Sequence, residues 1–413
     1  MGQPSDRKPE ILAPAGDEEK LFFAYRYGAD AAYIGGRDFS LRANAANFDL
    51  PQMERGIRLA HELGKKIYVA VNIFATNRDI RALPAYLTQL AELEPDGLII
   101  SDPGVFLAAR QYAAGIPVHI STQANTTNWQ TAKFWAEQGA KRVVLARDIS
   151  LEEAAEIAGY GFLETEIFVH GAMCVAYSGR CLLSSYLTGR RANAGDCAQP
   201  CRWRYALMEE KRPGVYLPLE EDERGSYVFN AKDLCLLPLL PQLAAAGHAS
   251  WKIEGRNKSA YYTANIVRVY RAAADAYFAA GAGYRADPRW MAEAEAVSHR
   301  QYTLGFSLQA PQAGAYRYDE GDSLRGYDFA AVARDWRDGA LQLEVRNHLA
   351  VGDRLQILLP AQCRNMDIEV VKLYDQNQNS ISRAPHPKEL VWMDCPTPPP
   401  ASLPLLVRKK HSL

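Results

Sequence analysis

Eight short apolar runs, most of them followed by a stretch of helical period, recur between residues 11 and 280. The runs are ILAPAG (11–16), AAYIGG (31–36), IYVAVNIFA (67–75), GLIISD (97–102), PVHISTQ (117–123), RVVLAR (142–147), ETEIFVHG (164–171) and SWKIEG (250–255). Amphipathic stretches such as PQMERGIRLAHELGKK and SAYYTANIVRVYRAAADAYFA follow them. Runs that are apolar throughout, rather than alternating, suit strands covered on both faces. Repeated strand–helix units predict a parallel sheet, and eight of them in about 280 residues predict closure into a (β/α)8 TIM-type barrel rather than an open doubly wound sheet.

The pattern changes after residue 285. Residues 285–327 read as a helical and irregular connection. The segments AVARDWRDGALQLEVRN, GDRLQILLP, MDIEVVKLYD, ELVWMD and PLLVRKK are short, alternating and punctuated by turn residues. They predict a small antiparallel β-barrel domain over 328–413. The barrel domain then spans 1–284, with a cysteine-rich insert at 172–230 after strand seven and the helical stretch DLCLLPLLPQLAAAG between the insert and strand eight. A composition of 48% hydrophobic residues supplies both cores. A formal net charge of −1 neither supports nor excludes a polyanionic partner. No run of about 18 apolar residues occurs, and no apolar stretch follows a basic start, so neither a membrane span nor a secretory signal is expected. The expected location is the cytoplasm, with no membrane partner.

That location bears on the cysteines. Cys174, Cys181, Cys197 and Cys201 fall in the insert, separated by six, fifteen and three residues, and a further 33 residues separate Cys201 from Cys235. In a reducing compartment, clustered thiols hold metal more often than they form disulfides. Structural zinc sites usually show two short Cys-x2–4-Cys knuckles, and only Cys197–Cys201 has that form. Gly171, Gly179 and Gly195 bring backbone amides near the thiolates, as an iron–sulfur cluster requires. The spacing leaves three readings open: an iron–sulfur cluster, a zinc site, or redox-active or incidental thiols. Cys363 and Cys395 read as ordinary buried thiols of the C-terminal module.

Reactive groups of such a barrel gather at the C-terminal ends of its strands. Those ends supply Gly16, Arg42, Asn72, Asp102, Ser121, Gln123, Asn125, Arg147, His170, Lys252, Glu254 and Arg256. Four cations, Arg42, Arg147, Lys252 and Arg256, would converge on one mouth and suit an anionic ligand, carboxylates or phosphates above all. Glu254 and His170 complete the candidate catalytic set, although a histidine in an apolar strand, like His119, is more commonly a core residue. The competing structural reading pairs the cations with Asp102 and Glu254. The insert is locally basic: six Lys or Arg against three acids lie between Tyr186 and Pro213. Arg190, Arg191, Arg202 and Arg204, interleaved with Trp203 and Tyr205, form a pattern that can hold unstacked RNA bases and their phosphates; a solvated loop is the plainer alternative. No HExxH motif and no G-x-S-x-G elbow is present.

The segment EIFVHGAMCVAYSGRCLLS (166–184) resembles the signature of peptidase family U32, the collagenase-like proteins, through Glu166, Phe168, Gly171, Ala172, Met173, Cys174, Gly179, Cys181, Leu183 and Ser184. ILAPAG, GADAAYIGG, SLRANAANF, SDPG, STQANTTNW, NAKDL and KIEGRNKSAYY resemble further blocks of that family, and the C-terminal module resembles its own C-terminal domain. Within the family, SGRCLLSSYLTGRRANAGDCAQPCRW is most similar to the tRNA hydroxylases. That resemblance implies 5-hydroxyuridine formation at the wobble position, uridine 34, without molecular oxygen, with prephenate as the hydroxyl source. It also implies a 4Fe–4S cluster on Cys174, Cys181, Cys197 and a fourth cysteine, Cys201 or Cys235. The expected partners are the tRNA anticodon loop, prephenate as the small dicarboxylate, and a paralogous subunit. The alternatives are a collagenase-like peptidase, a related hydroxylase of rRNA or a quinone precursor, and a non-catalytic RNA-binding maturation factor.

Overall fold

The computed structural model describes residues 8–40, 47–173, 182–190, 197–200, 232–308, 324–360 and 363–411, and the backbone of 206–208 and 216–218. All eight predicted strands form. They are β1 (Glu10–Pro14), β2 (Ala31–Gly35), β3 (Lys66–Val71), β4 (Gly97–Ile100), β5 (Val118–Ile120), β6 (Arg142–Val144), β7 (Glu164–Ala172) and β8 (Ser250–Ile253). Each pairs in parallel with the next, and β8 pairs with both β7 and β1, so the barrel is closed.

Polar residues at the strand ends set the turns into the outer helices. Asp17 caps α1 (Glu18–Arg26), Asp49 and Gln52 form a capping box on α2 (Leu50–Glu62), and Thr76 and Asp79 do so on α3 (Asn77–Leu93). Asp102 accepts from Gly104 N and Val105 N at the start of α4 (Pro103–Tyr112). Its carboxylate therefore serves the helix, where it satisfies otherwise orphaned amides. Asn128 and Ser150 cap α5 (Trp129–Glu137) and α6 (Leu151–Gly159).

Strand β7 departs from simple alternation. Period two would hold Glu166, Phe168 and His170 on the same inner face. The pairing with β8 shifts between Lys252 and Ile253, from Phe168–Lys252 to His170–Ile253. This bulge gives β7 one extra residue and turns His170 onto the outer face, toward the helices. There its ring lies 5.7 Å from Tyr270 and 5.1 Å from Tyr302. Beyond the end of β6, whose pairing with β7 stops at Glu166, Asp233–Cys235 pairs antiparallel with the end of β7, Cys235 opposite His170. The stretch expected to be helical thus begins as a strand, and a 3-10 turn at Leu237–Leu239 leads into the α-helix Leu240–Ala245. Asp233 is fixed there by Arg300, whose guanidinium lies 2.6 Å away.

The C-terminal module is an antiparallel sheet of eight strands. Its order is Asn365–Glu369, Arg354–Leu358, Leu405–Lys410, Tyr327–Arg337, Ala340–Val345, Leu390–Asp394, Leu373–Tyr374 and Ser380–Ile381. It has its own core, which includes Leu341, Leu343, Ile357 and Met393. Glu293, in the connection, fastens it to the barrel: its carboxylate accepts from Arg408 at 2.8 Å, from Asn365 at 2.8 Å, and from Arg268 of the long helix Ala260–Ala280. No described helix is long and apolar enough to cross a membrane.

Candidate active site

The barrel interior divides into an apolar part and a charged part. Leu12, Tyr33, Tyr68, Ala70 and Ile99 form a small cluster separate from the outer core. Against it runs a chain of ions. Arg142 lies 2.7 Å from Glu10, 2.8 Å from Glu164 and 3.1 Å from Glu166, and Glu166 accepts from Lys252 Nζ at 2.8 Å. Burial would raise the Glu166 carboxyl, but Lys252 and Arg142 outweigh it and hold it down at about 2. His119, whose ring packs 4.6 Å from Tyr68, is held neutral: burial first, then Arg142, lowers it to about 3.

Above this chain the strand ends surround a cavity of about 520 Å³, its open mouth included. Tyr33 and Phe168 form its aromatic walls, Ala70 and Ile99 its apolar floor, and Asn72, Ser121, Thr122 and Gln123 a polar side. Arg147, Lys252, Glu254 and Arg256 supply the charges. Lys252 Nζ lies 4.5 Å from the centre of the Tyr33 ring, so the ammonium is sandwiched between a carboxylate and an aromatic face. Arg147 stacks on Phe168 at 4.0 Å, donates to Ala172 O at 2.5 Å and lies 3.8 Å from Glu254. Arg256 is 4% exposed and donates to Ser40 Oγ at 3.1 Å. Gly35 makes that placement possible, because a Cβ there would overlap the guanidinium. Gly171 does the same for Glu254: its φ is 109°, and a Cβ would press on the Glu254 carbonyl.

Four sequence candidates, Arg147, Lys252, Glu254 and Arg256, thus meet at one cavity. His170 does not line it. Fully buried on the far side of β7, it is flanked by Tyr270 and Tyr302 hydroxyls 3.5 and 3.3 Å from its ring nitrogens. Burial lowers it to about 3, with Asp233 opposing. Arg42 lies outside the described residues, as do Cys174, Cys181, Cys201, Arg191, Arg202, Trp203 and Arg204. Arg190 follows the short helix Leu183–Thr188, and its N–H donates to Thr188 Oγ1 at 3.2 Å. Sequence reasoning missed Glu166 and Arg142 as the support of Lys252. The available signal was charge at inward positions of otherwise apolar strands, where only a mutual pairing makes burial tolerable.

Two of the five clustered cysteines can be compared. Cys197 is half-buried, and its sulfur accepts from Gln199 N–H at 3.3 Å. An amide directed at sulfur is the contact that suits a thiolate ligand. Cys235 is 2% exposed, belongs to the outer core, and shares the face of β7 on which His170 lies. Among the described residues no three metal-ligating side chains come together.

Fold and cavity define a closed (β/α)8 barrel with a cationic mouth and an antiparallel β-module. Residues 16–316 match peptidase family U32 and residues 325–408 match the peptidase family U32 C-terminal domain, so this chain belongs to peptidase family U32. It is 37% identical over 387 residues to tRNA hydroxylation protein P1 of Bacillus subtilis, covering 93% of this chain and 91% of that protein. It is 37% identical over 443 residues to tRNA hydroxylation protein P of Escherichia coli, covering 97% of each. It is 32% identical over 384 residues to the 23S rRNA 5-hydroxycytidine C2501 synthase of Escherichia coli, covering 91% of this chain and 56% of that protein.

Proposed function

We propose that this chain is a cytoplasmic tRNA-modifying hydroxylase that forms 5-hydroxyuridine at uridine 34, without molecular oxygen, with prephenate as the hydroxyl source. The observation that carries this reading is the meeting of Arg147, Lys252 and Arg256 around one cavity, in a chain whose relatives include tRNA hydroxylation proteins. Prephenate carries two carboxylates, and guanidinium forks match carboxylates in shape as well as charge. Tyr33 and Phe168 offer the six-membered ring of such a donor apolar walls, and Glu254 steadies Arg147. Replacing C5–H by C5–OH oxidises the base by two electrons, so the donor is reduced as the base gains its hydroxyl.

Cys174, Cys181, Cys197 and Cys201 would hold a 4Fe–4S cluster. The sulfur contact at Cys197 supports this, and the outer-face position of Cys235 makes it the spare thiol, kept as the alternative fourth ligand. A cluster held by these residues would supply one-electron chemistry. Arg190, Arg191, Arg202, Trp203 and Arg204 are assigned to the anticodon loop, and a paralogous subunit is retained as a partner. The peptidase alternative gains nothing from the geometry, since Glu254 and His170 lie on opposite faces of the barrel wall. Mass spectrometry of tRNA nucleosides from cells lacking this gene tests the reading. Loss of 5-hydroxyuridine derivatives, restored by the intact gene, is expected; an unchanged nucleoside profile would refute it.

A further inference from the structure

The polar side of the cavity contains a group whose donors have no partner among the described residues. Ser121 follows β5 and caps the single 3-10 turn Thr122–Ala124, its Oγ accepting from Gln123 N at 3.4 Å. Asn125 ends the turn in the left-handed region, φ 54°, and its Nδ2 donates back to Gln123 O at 3.1 Å. Thr122 Oγ1 ties the turn to the neighbouring strand end through Leu145 O at 3.1 Å. The turn is therefore held at both ends and at its side, and its central residue is directed into the barrel. Gln123 is 7% exposed and lines the cavity. Its carbonyl Oε1 accepts from Asn72 Nδ2 at 2.9 Å and from Ser121 Oγ at 3.3 Å. With the oxygen engaged twice, the carboxamide plane is fixed and the NH2 is left facing the cavity, with no protein partner among the described residues. The cations beside it are already engaged, Lys252 by Glu166 and Arg147 by Ala172 O and Glu254.

We infer that Gln123 is a ligand-positioning residue, which donates from Nε2 to an acceptor oxygen of the small anionic hydroxyl donor and fixes its orientation among Arg147, Lys252 and Arg256. This rests on the proposal that the cavity binds a dicarboxylate such as prephenate. A buried donor pair that finds its acceptor only when the ligand arrives favours ligands carrying an oxygen at that point, and penalises those that leave it unpaired. The neutral amide adds direction without adding charge.

The test is calorimetric titration of prephenate into the full-length protein and its Gln123→Glu and Gln123→Met variants, with thermal midpoints recorded in parallel. Gln123→Glu keeps the shape but presents a carboxylate to an anion; Gln123→Met keeps the length and removes the donors. Gln123→Glu keeps the acceptor for Asn72 and Ser121 and is expected to retain the wild-type thermal midpoint, whereas Gln123→Met leaves those two donors unpaired and is expected to lower it modestly. Both are expected to weaken prephenate binding about tenfold or more, and to raise KM for prephenate more than they lower kcat. If the wild type binds prephenate and both variants bind it within twofold of the wild type, the role of Gln123 is overturned while the proposed function stands. If the wild type binds no prephenate, the proposed function fails and this inference fails with it.

Discussion

The ammonium of Lys252 lies 2.8 Å from the carboxylate of Glu166, and neither side chain is more than 6% exposed. Glu166 in turn meets Arg142 at 3.1 Å, so the charge that faces the cavity is anchored to a chain of ions running down the barrel axis. The mouth is cationic, and Lys252 and Arg147 are held by the acids Glu166 and Glu254 beneath and beside them. A ligand carboxylate meets groups that are already aligned, which lowers the cost of ordering them on binding.

Removing one partner of this chain should be costly. Glu166→Gln leaves Lys252 and Arg142 with an uncompensated charge, and a loss of about 3–5 kcal/mol at pH 7 is expected from denaturant midpoints. The sign of the pH dependence follows from Glu166 being held at about 2, below its ordinary 4.5. Its contribution is present above pH 4.5 and fades as pH falls toward 2. The stability gap between wild type and variant should therefore narrow over that window.

The buried histidines predict a second, earlier acid response. His119 and His170 are lowered to about 3, and His248 to about 4, by burial in each case first. Groups held neutral in the fold stabilise it fully above their ordinary value near 6.5 and lose that contribution as pH falls below it. Thermal midpoints should begin to drop below pH 6.5, ahead of any carboxylate titration. A flat profile between pH 6.5 and 5 would contradict the placement of these rings.

The mouth and the insert should separate by mutation. Arg256→Ala removes a buried guanidinium from the cavity and should abolish hydroxylation, a cost of roughly 2–5 kcal/mol in donor binding, while tRNA affinity stays nearly intact. Arg191→Ala should leave the response to prephenate unchanged, weaken tRNA binding modestly, and reduce the salt dependence of binding by about one unit of slope. Filter binding across a salt series and nucleoside analysis read the two effects separately. If both changes alter tRNA affinity alike and neither changes the prephenate response, the division of roles is wrong.

The cysteines make a fourth prediction. Anaerobically purified protein should be brown and contain iron and sulfide. Among single Ala replacements at Cys174, Cys181, Cys197, Cys201 and Cys235, only Cys235→Ala should still assemble the cluster. Stoichiometric zinc without sulfide would point to the zinc reading instead.

Much of this molecule was legible in its sequence, because period and polarity report on burial. All eight strands of the barrel coincide with the apolar runs that predict them, with β1, β3 and β7 each extending one residue beyond, and the alternating segments after residue 327 form the antiparallel module. Arg147, Lys252, Glu254 and Arg256 meet as strand-end position implies. What alternation does not report is the bulge in β7, which carries His170 to the outer face although its sequence parity matches Phe168. Nor does composition distinguish a strand-end acid that caps a helix, Asp102, from one that faces the cavity, Glu254. The ion chain depends on Glu10, Arg142, Glu164, Glu166 and Lys252 meeting from four strands, a long-range pairing that no local pattern encodes.

Incubating the reconstituted protein with unmodified tRNA under strict anaerobiosis, with and without prephenate, and analysing the digested nucleosides by mass spectrometry tests the proposed hydroxylation. 5-Hydroxyuridine is expected at position 34 only when prephenate is present. Unmodified uridine in the presence of intact cluster and prephenate, or hydroxylation that appears only when oxygen is admitted, would contradict it.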